Sequence, residues 1–346
     1  MDIEGILKEA VSRHASDLHL TVEAPPSFRI GGELVRGESE TLRSADTADA
    51  LARLAGPQDK TVLDLRGQVN FSYSLSGVGR FRVNAFRQRG SVAISIRILW
   101  PKVPSLGELS LPLVVAELAM RPSGLVLVTG HSGCGKSSTL AGMVNLINEN
   151  RNCHVITLED PIEYLHRHKR SIVNQREVGS DTPSFEEGLR SVLREDPDIV
   201  MAGYLGDAET IRLAMAAAET GHLVLAAMHT TSAANTVARI VDISPPHLQQ
   251  QVKVQLAAVL AGVVTQQLIP RMDEPGRVPA CEILIGSGSV RNLIREGRVQ
   301  HLQSAIQTGS RSGMRTMEQS LKDLHERHLI SLEEYRARHG SEADKD

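Results

Sequence analysis

Residues 130–139 read GHSGCGKSST and set Gly130, Gly135, Lys136 and Ser137 in the order G-x-x-x-x-G-K-S, after the apolar run GLVLVTG and before a helical pattern. This is the pattern of a phosphate cradle. A polyphosphate is held by exposed backbone N–H groups, and Gly130, Gly133 and Gly135 let the loop curl so that those groups point inward at a helix N-terminus. Lys136 then reaches the β- and γ-phosphates, and Ser137 offers a hydroxyl to Mg²⁺. His131, Ser132, Cys134 and Ser138 complete the loop. Cys134 has two readings. The preferred one is a small residue filling the slot; in the other, the helix start and Lys136 lower its pKa, and its oxidation would block phosphate entry.

Further groups lie downstream. ITLED ends an apolar run with Glu159 and Asp160, and Glu163 follows after Pro161. Carboxylates at strand ends beside such a loop hold Mg²⁺ or orient water, although helix capping would also account for them. His229 closes the run LVLAAMHTT, where a lone histidine is ordinarily a satisfied core residue. In RFRVNAF and SVAISIRIL, Arg80 and Arg82 share one strand face against Phe81, Val83 and Ala85, and Arg97 likewise avoids the apolar face of its strand. Patterning alone makes these three arginines a solvated face.

The elements that must position these residues follow from periodicity. A helix is expected over residues 2–13 and a helical section near 44–66. SDLHLTV, PSFRIGGELVRG, VNFSYSLSGVGRFRVNAF and SVAISIRIL alternate with period two and predict a small, mainly antiparallel sheet. The proline-flanked segment 99–112 breaks both periods and reads as a linker. After it, GLVLVTG, HVITLED, DPDIVMAG and HLVLAAMHT are continuous apolar runs, each followed by polar or glycine residues and then a helical stretch. Strands buried on both faces of a parallel sheet have this form. The fold class is therefore α/β: an N-terminal α+β domain over 1–98, a nucleotide-binding core over 113–270, and a mainly helical subdomain over 271–346.

Composition narrows the function classes. Charged residues make up 23% of the 346 and the net charge is -3, so no basic field points to nucleic acid. Cys134, Cys153 and Cys281 form no CxxC pair, which excludes a four-thiolate zinc site and favours a reducing cytoplasm. The opening MDIEGILKEAVSRH lacks the apolar core of a signal peptide, and the longest apolar stretch, near Val254 to Val264, is too short to cross a bilayer. No direct membrane insertion is expected.

Taken in order, ASDLH (16–20), RFRVNAF (80–86), the phosphate loop, LEDPIEYLH (158–166), NQREVG (174–179), LREDPDIV (193–200), AAAETGHL (216–223), MHTTSAA (228–234) and VRNLIRE (290–296) resemble the type IV pilus retraction ATPases of the secretion ATPase superfamily over nearly the whole chain. The resemblance implies a PAS-like N-terminal domain, a RecA-like ATPase domain, ATP and Mg²⁺ as cofactors, and a homohexamer. It also implies a cytoplasmic ring docked on the pilus platform protein of the inner membrane. By the same resemblance Glu159, Asp160 and Glu163 are the acidic-box residues implicated in catalysis, Glu159 also being a metal candidate. His229 senses the γ-phosphate, Arg80, Arg82 and Arg97 reach a neighbouring subunit's nucleotide, and Arg239 approaches phosphate.

One loop departs from the family pattern. Where members carry Gly-Glu-Met-Arg-Asp after the third of these strands, DPDIVMAG, this chain has Gly203, Tyr204, Leu205, Gly206 and Asp207. A phenol stays neutral near pH 7 and cannot replace an ionised acid. A positioned acid or base contributes 10²- to 10⁴-fold to rate, about 3–5 kcal/mol of barrier, so hydrolysis is expected to be impaired unless Glu159, Asp160 and Glu163 compensate. Two classes follow: a motor ATPase driving pilus retraction, preferred because two substitutions stand against a whole-chain match, and a nucleotide-binding regulator that joins rings or the pilus base but turns over little; a more active paralogue is a further candidate partner. A secretion or extension ATPase is disfavoured by the absent tetracysteine motif. A helicase is disfavoured by the charge balance.

Overall fold

The computed structural model describes residues 1–99 and 103–343. The chain divides into two compact units, Met1–Lys102 with Glu163–Leu165, and Val103–Ile162 with His166–Asp346. Residues 100–102 of the expected linker lie outside the described residues. The remainder, 103–112, belongs to the second unit, because Leu106 is buried in that unit's core and Ser105 caps the following turn by bonding the Glu108 carboxylate.

The first unit runs α1 (Ile3–Ser12), β1 (Asp17–Leu20), β2 (Ser27–Ile30), β3 (Glu33–Arg36), α2 (Ser44–Leu54), α3 (Pro57–Arg66), β4 (Gln68–Leu75), β5 (Gly79–Gln88) and β6 (Ser91–Leu99). Its sheet has the order β3-β2-β1-β6-β5-β4 with every neighbour antiparallel. Asp2 caps α1 by accepting the Gly5 N–H, and Ile3, Leu7 and Ala10 recur at helical spacing on its buried side. Fully burying each of the larger two is worth about 1.5–3 kcal/mol, more than the cap, so packing rather than capping fixes this helix. The helical section expected over 44–66 is two helices. Gly56 and Pro57 end one and start the next, since proline is tolerated at a first turn and not inside a helix.

The second unit runs α4 (Leu113–Ala119), β7 (Gly124–Thr129), α5 (Lys136–Asn150), β8 (His154–Glu159), β9 (Ile172–Glu177), α6 (Phe185–Val192), β10 (Ile199–Ala202), α7 (Ala208–Glu219), β11 (Leu223–Met228), α8 (Ala233–Asp242), α9 (Gln249–Val259), β12 (Leu260–Pro270), β13 (Arg277–Ile285), α10 (Gly288–Glu296), α11 (Leu302–Thr308), α12 (Met317–Glu326) and α13 (Leu332–Ala343). Its sheet order is β13-β12-β7-β11-β10-β8-β9, parallel except for the β12/β13 pair. Every residue of β7, β10 and β11 is buried, which is why these strands are apolar without alternation. The chain leaves β7 and returns at β8 beyond β10 and β11, so the strand order reverses beside β7. Ligands of open α/β sheets sit outside the carboxyl ends at such a point.

One boundary differs from expectation. The C-terminal part expected to be helical from 271 begins with β13, whose nine residues pair with β12 and extend the core sheet. The helical portion starts at α10. The apolar stretch near 254–264 is the end of α9 running directly into β12, and no helix among the described residues is long and apolar enough to cross a membrane.

Candidate functional site

Four loops meet the carboxyl edge of the parallel strands. β7 runs into the phosphate loop, β8 ends on Glu159, β10 leads to Tyr204 and β11 leads to His229. The loop's three glycines are each demanded by the backbone: Gly130, Gly133 and Gly135 have φ of 142°, 78° and 91°, a region other residues rarely adopt. Gly130 is also held by space, because a Cβ there would stand 2.4 Å from the Gln266 carbonyl oxygen and 2.5 Å from Cys134 Sγ. From Gly135 the chain enters α5, whose first-turn N–H groups have no acceptor within the helix and carry its positive dipole end.

One neighbouring strand, β12, braces this loop. On β12, the buried Gln266 donates from Nε2 to the Cys134 carbonyl at 2.5 Å and accepts at Oε1 from the Thr139 hydroxyl at 2.9 Å. One side chain thus ties the loop to the first turn of α5. Just before the loop, the Thr129 and Thr265 hydroxyls bond at 2.8 Å across β7 and β12. Sequence reading missed these residues. Their signal was present, since TQQ is a polar run inside an otherwise buried strand, and buried polar groups are there to bond something.

Lys136 Nζ lies 2.9 Å from the carbonyl oxygens of Gly130 and His131 and 3.3 Å from His229 Nδ1. An ammonium only donates, so His229 accepts through Nδ1 and carries its proton on Nε2. Of the three carboxylates expected to act together, Glu159 alone is buried at the sheet edge; its Oε1 accepts from the Thr157 hydroxyl at 2.6 Å and from Gln175 Nε2 at 3.0 Å. Asp160 is exposed in the following turn, and Glu163 groups with the first unit. His131, Ser132 and Ser137 are exposed, and Ser138 borders a cavity of about 430 Å³ with Gly135, Thr139, Gln266, Leu268 and Arg271. Arg239, exposed on α8, lines an open depression with His229, Thr230 and Asn235. The start of α8 is fixed by Ser232 and by the buried Glu282 of β13, which accepts the Ala233 N–H at 2.7 Å.

The three strand arginines lie together in the first unit. Arg82 stands directly opposite Arg97 across β5 and β6, Arg97 Nε donates to Asp17 at 3.0 Å across β6 and β1, and Arg80 donates to Ser74 at 3.3 Å. Phe81, Val83 and Ala85 are buried on the opposite face.

The model of the type II/IV secretion system protein family matches residues 1–339. The chain belongs to that family. It is 44% identical over 336 residues to the type IV pilus retraction ATPase PilT of Pseudomonas aeruginosa, covering 97% of each chain, and 37% identical to the type IV pilus ATPase PilU of the same organism, covering 96% of this chain and 87% of that one. A crystal structure of the pilus retraction motor PilT with bound ADP superposes with a TM-score of 0.91 at 44% identity, over all of this chain and 98% of that one. The ATPase DotB of Legionella pneumophila superposes at 0.79 with 29% identity, over 98% and 95% of the two chains. The fold class is the one expected, an N-terminal α+β domain followed by a RecA-like domain with a helical C-terminal part.

Residues 203–207 are built around an aromatic ring. The Gly203 N–H bonds the Leu158 carbonyl at 2.7 Å, the Leu205 N–H bonds the Ala227 carbonyl at 2.9 Å, and Leu205 is buried. This leaves Tyr204 pointing outward, its ring centroid 4.9 Å from that of His229. Asp207 caps α7, accepting the Thr210 N–H at 2.8 Å.

Cys134 decides between its two readings in favour of the preferred one, a small residue filling the slot. Its thiol is buried beneath Gly130, and burial raises its pKa despite the opposing pull of Lys136, so the lowered pKa of the redox reading does not hold. Cys281 is pushed up to about 12 by complete burial. Because the thiolate is the reacting form, iodoacetamide at pH 8 should modify the half-buried Cys153 well before Cys134 or Cys281, as read by peptide mass mapping. Gln266→Leu leaves two buried groups unpaired, which costs about 1–3 kcal/mol each. It should lower the unfolding midpoint in urea and weaken ATP binding at least about tenfold in a calorimetric titration.

Proposed function

We propose that this chain is the subunit of a motor ATPase that binds and hydrolyses ATP to drive retraction of a type IV pilus. The observation that carries this reading is the phosphate loop itself: three glycines in left-handed backbone, a helix N-terminus behind them and Lys136 poised at the same edge as Glu159 and His229. Whole-length similarity to a retraction ATPase supports the same reading.

In this proposal the amides of residues 133–137 bind the β-phosphate and Lys136 exchanges its carbonyl partners for phosphate oxygens. The cavity bordered by Ser138, Thr139 and Arg271 takes the nucleoside. Among the described residues no three or more His, Cys, Asp or Glu gather to hold a metal ion. That donor set fits Mg²⁺ arriving with the nucleotide, which keeps phosphate oxygens and water and needs only one or two protein ligands, here Ser137 and Glu159. Bound there, the ion would neutralise charge on the phosphates. Glu159, oriented by Thr157 and Gln175, is the carboxylate available to position water, with Asp160 and Glu163 as outer acids. A neutral phenol at position 204 does not share that task.

We further propose a homohexamer in which Arg80, Arg82 and Arg97 serve a neighbouring subunit's nucleotide and Arg239 serves the chain's own. The ring would act at the cytoplasmic side of the inner membrane on the pilus platform protein. A directly opposed Arg82–Arg97 pair is unfavourable on a sheet, and Asp17 offsets only part of it, which supports an anionic partner for this face.

Purified protein should release phosphate from ATP, and Lys136→Ala should reduce that release to background in a coupled assay. Equal rates in the two would refute the motor reading. Exchanging Tyr204→Glu together with Gly206→Arg should raise kcat at least about tenfold, whereas Gly206→Arg alone should not, because a Cβ at 206 already falls 2.5 Å from the Tyr204 ring.

A further inference from the structure

We propose that Tyr204 is a positioning residue: its ring holds the His229 imidazole against Lys136, so that an incoming phosphate must take the lysine away from a braced competitor. The proposal rests on nucleotide binding at the phosphate loop. It adds a contest for the lysine that the loop alone does not contain.

Three observations meet here. The Tyr204 and His229 rings lie 4.9 Å apart, centroid to centroid, at 48°, within the range of favourable aromatic pairs. His229 Nδ1 is 3.3 Å from Lys136 Nζ, and Lys136 is the cation that must reach the phosphates. Finally, Gly206 lies directly against the ring. Its φ lies outside the left-handed region, yet a Cβ there would stand 2.5 Å from Tyr204 Cε1 and 3.0 Å from Cζ. The ring occupies the volume that any other side chain at 206 would need. A side chain at 206 and the Tyr204 ring are therefore coupled, since one displaces the other.

The loop carrying the ring is held at both sides, by Gly203 to the end of β8 and by Leu205 to β11, so the ring is presented from a fixed base. Tyr204 is itself 37% exposed, so changing it removes little from the core. When the ring is absent the imidazole gains rotational freedom, its hold on Lys136 weakens, and phosphate meets less competition.

A fluorescent ADP analogue with Mg²⁺ is the probe, because it has no γ-phosphate for His229 to touch and so reads the contest for Lys136. Tyr204→Ala should tighten its Kd about three- to tenfold. Gly206→Ala, which pushes the ring aside, should tighten it similarly in the parent chain and not at all when Tyr204 is already alanine. Tyr204→Phe keeps the ring and should restore the parent Kd. In a His229→Ala background, Tyr204→Ala should have no effect. The proposal is overturned if the Tyr204→Ala effect survives without His229, if Tyr204→Phe behaves as Tyr204→Ala, or if Gly206→Ala matches the parent. No saturable binding by the parent chain would instead remove the nucleotide-binding reading beneath it, so the two failures are distinct.

Discussion

A phosphate group is too highly charged to be held by one lysine and too symmetrical to be held by one side-chain geometry, so the loop from Gly130 to Ser137 must present backbone amides in a fixed inward curl. Everything nearby follows from that requirement. The curl needs left-handed φ at its glycines, and it would be floppy without external struts. Gln266 supplies the strut, spanning Cys134 and Thr139 with the two ends of one amide. The Thr129–Thr265 hydroxyl pair ties the preceding strand to the same neighbour. The parallel sheet then places Glu159, Tyr204 and His229 at the same carboxyl edge, because each follows a strand that runs in the direction of β7.

The residues at that edge show how one position constrains others. A carboxylate after β10 would leave His229 without an aromatic neighbour and would leave room at 206 for a long side chain. Tyrosine fills that room instead. The steric coupling between 204 and 206 is a consequence of ring volume, and the ring in turn reaches the histidine that bonds the loop lysine. At this loop it is ring volume that sets what the neighbouring positions can carry.

The first unit follows a different rule. Its antiparallel sheet buries one face and leaves the other to water, so alternation divides the residues cleanly: Phe81, Val83 and Ala85 inward, Arg82 and Arg97 outward. Register then sets two cations directly opposite each other with Asp17 beside them. Neither spacing nor composition reveals that juxtaposition, because the partners are fifteen and eighty residues apart in the chain.

Much of this protein is legible from local pattern. The phosphate loop, the four buried parallel strands of the motif set, the hairpins of the first unit and the helical tail all express chemistry confined to a few neighbouring residues: backbone φ, strand alternation and helical spacing. Residue types also fixed what position 204 cannot do, since a phenol is no carboxylate in any fold. What needed the folded chain were contacts between distant segments. Only packing shows that Cys134 is buried beneath Gly130, so that desolvation outweighs the lysine beside it. Only strand pairing brings Gln266 to the loop and makes 277–285 part of the core sheet, and only the shared edge sets Tyr204 against His229. Burial, register and ring contact depend on which strand lies beside which, and that order is set by the whole core.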